Sequence, residues 1–281
     1  MDKIQSLTIC ADDYGIAPGV GKAIRALIGQ DRLSATSCMT TSAFWPAEAK
    51  LLNPVSRDID VGLHITLTDH RSINSLPSLA PNGTFPSVGA LFKRALLHKL
   101  DRADVFREIN GQIDAFVSEM NRLPDFLDGH HHVHQFPVIR DAVIAIWQDR
   151  FPGRHTWIRS CHEPLSACVA RGIAVPKCIS LSTIGRPLKR ALVRNAIPHN
   201  ESFLGIYDLN RRQPFQPIVR RYLRGLRGRS LLMCHPGFVD NPLIQADRLT
   251  YQREVEFEYL GSEAFLQDLQ NHHVSLSKTL T

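Results

Sequence analysis

The sequence predicts an α/β protein with a parallel sheet, folded as one domain over residues 1–281. Short apolar runs alternate with segments of helical spacing, which is typical of parallel α/β folds. A length of 281 residues lies within the usual range of a single α/β barrel, so it does not require two domains. We therefore expect the chemistry at the carboxyl ends of the strands, where such folds carry it.

The first half of the chain alternates strands and helices. An apolar run at 6–11 predicts a buried first strand, and Gly15 turns the chain after it. Apolar residues at helical spacing predict a helix at 18–30, and the clearest amphipathic helix lies at 103–122. Segment 69–90, rich in Ser, Pro, Asn and Gly, is expected to form a loop over the site. The other elements predicted here are strands at 35–41, at 60–68 and from Phe126, and helices at 45–52 and 137–151.

The second half is less regular. A strand is predicted at 155–160, and a buried apolar strand at 230–234. Segment 173–181 is too mixed to assign, whereas 251–270 predicts the last long helix. The remaining predicted elements are helices at 188–196 and 217–226, a strand or site wall at 203–207, and a closing strand at 274–277.

A run of histidines follows the strand that begins at Phe126. This stretch is predicted to be a strand that runs out into a loop, and strand alternation places His130, His132 and His134 on one face with Asp128. Imidazoles and carboxylates that converge on one face can bind a divalent metal. The alternative is a polar strand end whose histidines each find a hydrogen bond.

Three other predicted strand ends carry chemical groups. Asp12 and Asp13 follow the first strand, and a helix cap would account for only one of them. His64 lies in the third strand, where a single histidine is more often a core residue, and His235 follows 230–234. In a parallel barrel these ends meet at one rim. One carboxylate and two imidazoles would leave open positions on a metal, which is typical of catalytic sites. A second carboxylate could then act as general base and a histidine as general acid, as in a hydrolase of amide, ester or phosphate bonds.

Charge and cysteine content restrict partners and compartment. The net charge is +6, and the excess is concentrated in 186–229. Nucleic-acid or anionic-membrane binding is one interpretation of this segment, and a solvated helix face is the simpler one. The region has no recognisable nucleic-acid motif and few aromatic residues, so no nucleic-acid partner is expected. The sequence has no apolar run of about 18 residues, no signal-peptide pattern and no CxxC pair, which predicts a cytoplasmic protein without a transmembrane helix and with reduced cysteines.

Four short motifs, in this order, resemble the YdjC-like carbohydrate deacetylase family. Arg159 with Glu163, and Arg253 with Glu256, are also similar to family positions. The resemblance covers nearly the whole chain, and the ordered set is more specific than any one motif. The motifs are Ala11-Asp12-Asp13-Tyr14-Gly15, Gly62-Leu63-His64-Ile65-Thr66-Leu67-Thr68, Asp128-Gly129-His130-His131-His132-Val133-His134 and His235-Pro236-Gly237.

The resemblance implies a distorted TIM-like (β/α) barrel and metal-dependent removal of acetyl groups from N-acetylated sugars. By position, Asp13, His64 and His130 match the metal ligands. Asp12 matches the general base, and His235 matches the general acid.

The resemblance also implies supporting roles around this set. Arg159 would position the substrate or Asp12, and Asp128 would orient a histidine. His132 and His134 would line the sugar site or support it. Two departures stand near the first motif, because Tyr14 replaces a common Phe and Gly21 replaces a common Asn.

Several alternatives remain open at this point. The ligand set also suits a metal-dependent hydrolase of another amide or of a phosphoester, and a non-catalytic binding protein or a nucleic-acid-binding protein are further readings. The metal is one divalent ion, with Zn²⁺ or Mg²⁺ favoured over Mn²⁺ or Co²⁺. The sequence leaves open the sugar, its chain length and any lipid attachment. It also leaves open the oligomeric state, for which a homodimer is the commonest default.

Overall fold

A computed structural model describes residues 4–151, 153 and 155–277, and its centre is a curled parallel sheet surrounded by helices. Seven strands follow the order β5-β4-β3-β2-β1-β7-β6, and β8 pairs with the start of β1. The architecture is a mixed α/β half-barrel in one domain, which confirms the distorted TIM-like fold. The strands are β1 (Gln5–Tyr14), β2 (Ala35–Cys38), β3 (Asp60–Ile65), β4 (Phe126–Gly129), β5 (Trp157–Ile158), β6 (Ser202–Leu204), β7 (Ser230–Cys234) and β8 (Val274–Leu276).

Helices cover the outside of the sheet. Five of them lie near their predicted bounds, at 18–28, 45–52, 102–120, 139–150 and 216–223, whereas the helix predicted at 188–196 runs from Val175 to Arg194. The prediction of one helix at 251–270 is wrong, because Gly261 and Ser262 divide it and Ser262 Oγ accepts a hydrogen bond from Phe265 N–H at 3.3 Å. The helices are α1 (Pro18–Ile28), α2 (Trp45–Leu52), α3 (Val88–Leu96), α4 (Arg102–Met120), α5 (Ile139–Arg150), α6 (Leu165–Arg171), α7 (Val175–Arg194), α8 (Gln216–Leu223), α9 (Asn241–Ala246), α10 (Tyr251–Leu260) and α11 (Glu263–Asn271).

Side chains, rather than strand pairing, connect the two edge strands β5 and β6 within the described part of the chain. The Asn200 side chain accepts from Ser160 N–H at 2.7 Å and donates to the carbonyls of Ser160 and Ser202 at 2.7 and 3.0 Å. Glu163 Oε1 also accepts from Phe203 N–H at 2.5 Å. Together with a backbone bond from Ile158 N–H to the Pro198 carbonyl at 2.9 Å, these buried bonds join the two edges where a regular barrel has a strand ladder.

Large side chains fill the interior between the strands. The rings of Phe126 on β4 and Trp157 on β5 stack with centroids 4.1 Å apart. Gly62 on β3 leaves the space for Phe126, since a Cβ at this position would lie 2.4 Å from the ring. This close approach of β3 and β4 sets the register that pairs His64 with Asp128.

The two departures from the family pattern at the first motif are parts of one structural feature. A Cβ on Gly21 would lie 1.8 Å from Glu48 Oε2, so the glycine leaves room for that carboxylate. Glu48 forms a short ion pair with Arg25, and Arg25 also donates to the Tyr14 hydroxyl at 2.6 Å. An asparagine at position 21 would occupy the space of this network, which depends on the tyrosine hydroxyl.

Two further sequence predictions concern cysteines and membranes. All six cysteines are free thiols, as expected. Among the described residues, none of the helices combines the length and apolar character needed to cross a bilayer. In the arginine-rich segment, Arg220 pairs with Asp268 at 2.8 Å and Arg211 with Asp208 at 3.1 Å, so part of the positive charge is balanced locally.

Candidate metal and catalytic site

A bulge at the end of β1 brings two adjacent carboxylates to the same site. Neighbouring residues of a regular strand point to opposite faces, but the register shifts between Ala11 and Tyr14. Asp13 adopts a left-handed backbone conformation, with φ of 65°. As a result Asp12 contacts an arginine while Asp13 contacts two histidines, and both side chains are almost fully buried.

Asp13, His64 and His130 form a group whose ligand atoms lie within 4.8 Å of one another. Asp13 Oδ1 is 3.2 Å from His64 Nε2 and 3.0 Å from His130 Nδ1. All three residues are buried, and they come from the ends of three parallel strands. One carboxylate oxygen and two imidazole nitrogens fit a divalent metal that keeps open coordination positions.

Arg253 determines which oxygen of Asp13 faces the histidines. Its guanidinium donates to Asp13 Oδ2 at 2.7 Å and to Asp247 Oδ2 at 2.6 Å. Burial alone would raise the pKa of Asp13, but Arg253 and His130 bring it well below its usual value. Asp13 is therefore a carboxylate with Oδ1 left for a cation.

Asp128 fixes the ring of His64. Its Oδ1 accepts from His64 Nδ1 at 2.7 Å and from the Ser37 hydroxyl in a short hydrogen bond, so Nε2 of the ring points towards Asp13. Burial opposes charge on His64, but Asp128 raises the pKa of the imidazole to about 10. A carboxylate that holds a histidine ring from behind in this way is typical of metal sites.

Removing the Asp128 charge is expected to weaken metal binding without abolishing it. In Asp128→Asn the His64 ring loses its charged acceptor, and we expect metal affinity to fall by about 10- to 100-fold. Competition with a chromophoric chelator measures the affinity. Asp60→Asn is a matched control, because Asp60 is also buried but lies at the opposite end of β3. Equal affinities in the wild type and Asp128→Asn would contradict the role of Asp128.

Arg159 holds Asp12 in a bidentate ion pair. Its two terminal nitrogens lie 2.6 Å from the two Asp12 oxygens, and Arg159 Nη2 is 2.5 Å from Asp128 Oδ2. Cys10, Asp12 and Asp128 also form a group with metal-ligand spacing. Arg159 already contacts all three, including Cys10 Sγ at 3.0 Å, so its positive charge occupies the position that a cation would need. This favours the Asp13 group as the candidate metal site, with Asp12 outside it and paired with Arg159.

The prediction that His130, His132 and His134 share one face with Asp128 is wrong. β4 ends at Gly129, and residues 130–135 form a 3-10 turn in which His131 and His132 have left-handed backbone angles. His130 therefore faces Asp13, whereas His132 packs its ring 5.7 Å from Phe203.

The last histidine of the run supports the site from behind. His134 is fully buried, and its Nε2 donates to the Arg159 carbonyl at 3.0 Å. This bond ties the end of the histidine turn to the residue that holds Asp12. His134 thus supports the backbone at Arg159. The half-buried His132 instead packs against Phe203 of β6.

His235 follows β7 at the same rim. Its backbone N–H donates a short hydrogen bond to Glu256, which also accepts from the Tyr207 hydroxyl. Burial lowers the pKa of His235 to about 4, although Asp13 and Asp12 counteract the effect. Its Nδ1 is buried and has no hydrogen-bond partner among the described residues. Buried polar atoms without a partner are uncommon in folded proteins.

Sequence reasoning missed several residues that support the ligands. Ser37, from the middle of β2, and Asp247, after α9, carry no motif signal and are close only because of the fold. His70 was within the predicted loop, and its ring centroid lies 5.4 Å from that of His130. Its position just after the predicted strand at 60–68 could have suggested His70 as a site residue. Its contact with His130 could not be predicted from the sequence.

Comparisons with known proteins agree with the fold and with the family resemblance. The chain is 26% identical to a chitooligosaccharide deacetylase of Yersinia enterocolitica over 96% of this chain and 95% of that protein. It is 26% identical to a chitooligosaccharide deacetylase of Proteus mirabilis, with 93% and 92% covered. A crystal structure from Enterococcus faecalis V583, of a protein provisionally assigned to cellobiose-phosphate cleavage, superposes with a TM-score of 0.75 at 20% identity and covers 98% of each chain. The model of the YdjC-like protein family matches residues 6–271, so the chain belongs to that family.

Proposed function

We propose that this protein is a metal-dependent carbohydrate N-deacetylase that removes acetyl groups from sugars of the chitooligosaccharide type. The observation that carries the proposal is the pairing of the Asp13, His64 and His130 group with a separate buried carboxylate, Asp12. A binding site alone has no use for that second carboxylate. The curated relatives named as chitooligosaccharide deacetylases support the choice of substrate class.

One divalent metal, Zn²⁺ or Mg²⁺ by preference, would be held by Asp13 Oδ1, His64 Nε2 and His130 Nδ1. When bound, it would polarise the acetamide carbonyl and make a water molecule more acidic. Asp12 then removes the proton of the attacking water, and Arg159 holds the Asp12 carboxylate in position through two hydrogen bonds. Asp128 and Arg253 hold the ligands in place.

His235 is the group that we assign to protonate the leaving amine. Its unpartnered buried nitrogen is the feature that supports this role. Because its pKa is held near 4, the ring is neutral at pH 7 in the free protein. It therefore has to gain a proton during turnover before the sugar amine departs, and the proton that Asp12 removes from the water balances the one that His235 delivers to the amine.

Acetate release from di-N-acetylchitobiose is the assay that tests this function. We expect release by the purified protein, loss of release after chelation and recovery after addition of a divalent metal. A phosphoester panel under the same conditions tests hydrolysis of the other class. Phosphoester cleavage without acetate release from any N-acetylated sugar would overturn the proposal.

A further inference from the structure

The segment between β3 and α3 is a fixed structure rather than an open loop. Arg71 and Thr84 form an antiparallel bridge, and Ser72 N–H donates to the Gly83 carbonyl at 3.0 Å. Phe85 N–H donates to the His70 carbonyl at 2.9 Å. His70 therefore lies in the stem of a hairpin, where its backbone is bonded to the opposite strand of the stem.

Three side chains on one side of α4 anchor this hairpin. Glu108 is fully buried and accepts from the N–H groups of residues 73 and 74, both at 3.0 Å. Asp104 accepts from those of residues 78 and 79 at 2.8 and 2.9 Å, and Gln112 bonds to both backbone groups of Thr66. Spacing of four residues puts the three on one stripe of the helix. Carboxylates bonded to backbone amides form strong hydrogen bonds, so the hairpin has a defined position.

The ring of His70 lies beside the candidate metal site. The ring of His70 packs edge to face against the ring of His130, with centroids 5.4 Å apart. His131 also packs against the His130 ring, with centroids 3.9 Å apart. His131 Nδ1 is engaged by the Thr68 hydroxyl at 2.9 Å. In contrast, neither ring nitrogen of the half-buried His70 has a hydrogen-bond partner in the described ranges. An imidazole held rigidly at the edge of a site, with both nitrogens available, can donate to and accept from a ligand.

We infer that His70 is a substrate-binding residue that hydrogen-bonds a sugar hydroxyl or the acetamido group next to the reacting bond. A sugar hydroxyl is both donor and acceptor and matches an imidazole in either tautomer. This inference rests on the proposed function for the class of ligand. It adds a specificity-determining contact that the hairpin supplies. The metal ligands take no part in this contact.

The contact is tested by binding in a protein that does not turn over the sugar. In an Asp12→Asn background loaded with Zn²⁺, calorimetry measures the Kd for di-N-acetylchitobiose. We expect His70→Ala to raise this Kd about tenfold, the size of one lost hydrogen bond at a desolvated site. His70→Phe keeps a ring against His130 but has no nitrogen, and it should weaken binding to a similar extent. His272→Ala is the matched control, because His272 follows α11 near β8, at the opposite end of the barrel.

The outcomes separate this inference from the proposed function. Metal content and thermal unfolding should match the wild type in both His70 variants, since His70 is not a ligand. Binding by His70→Phe or His70→Ala equal to that of the control would overturn the inference even if the wild type releases acetate. A Kd that depends on His70 in a protein that releases no acetate would preserve the inference and overturn the proposed function. Absence of any sugar binding would overturn both.

Discussion

Asp12→Asn is expected to lower acetate release by about 10³-fold, within the range of 10² to 10⁴ that a general base contributes. The asparagine cannot accept the water proton, although its size preserves the packing. Arg159 keeps its ion pair with Asp128 in the variant, so the site should remain folded. Metal content should stay at the wild-type level, because Asp12 is not in the ligand group. Turnover and metal content are measured on the same preparation.

A matched variant separates loss of the base from loss of a buried charge. Asp60 is also a buried aspartate, but it accepts from Trp157 Nε1 at 3.1 Å at the far end of β3. Asp60→Asn should cost stability and leave turnover per folded molecule unchanged. Normal turnover by Asp12→Asn would show that Asp12 is not the general base.

His64→Ala is expected to lose the metal and, with it, nearly all activity. The variant removes one of three protein ligands and leaves Asp128 with Ser37 and Arg159 as its charged and polar neighbours. We expect stoichiometric metal in the wild type and less than about a tenth of that in the variant after dialysis, since loss of even a supporting residue costs 10- to 100-fold in affinity. Elemental analysis of the dialysed proteins measures the occupancy. His272→Ala serves again as the control, and full occupancy in His64→Ala would exclude His64 as a ligand.

The sequence predicted the components of the site better than their arrangement. Two apolar runs end at Asp12 and His235, and a third contains His64; these runs indicated strands, and parallel strands bring their ends to one rim. The structure brings Asp13, His64 and His130 together, and their function as ligands stays a prediction. The paired aspartates could be recognised, but the bulge that turns both of them into the site could not, since it depends on pairing with β2.

The histidine run shows why local pattern alone was misleading. Strand alternation was extended past Gly129, whereas two left-handed residues redirect the chain into a 3-10 turn. Positive φ at His131 and His132 is stabilised by tertiary contacts such as the bond between His131 and Thr68, which the sequence does not display. The division of the last helix at Gly261 was, in contrast, readable from a glycine followed by a capping serine.

Arg159 and Arg253 give the two aspartates different surroundings. Arg159 binds both oxygens of Asp12, and Arg253 binds only Oδ2 of Asp13. The first carboxylate is therefore neutralised by a permanent cation, and the second retains an oxygen for a metal. In the proposed mechanism, the neighbouring charges, rather than position in the sequence, distinguish the base from the metal ligand.

The location of a bound metal tests this division most directly. Crystals grown with Zn²⁺ and measured at its absorption edge give an anomalous peak at each bound ion. We expect a peak about 2.0–2.2 Å from Asp13 Oδ1, His64 Nε2 and His130 Nδ1, with Asp12 still paired with Arg159. A peak bound instead by Cys10, Asp12 and Asp128, with Arg159 displaced, would contradict the assignment of Asp12 as the base and of Asp13 as the ligand.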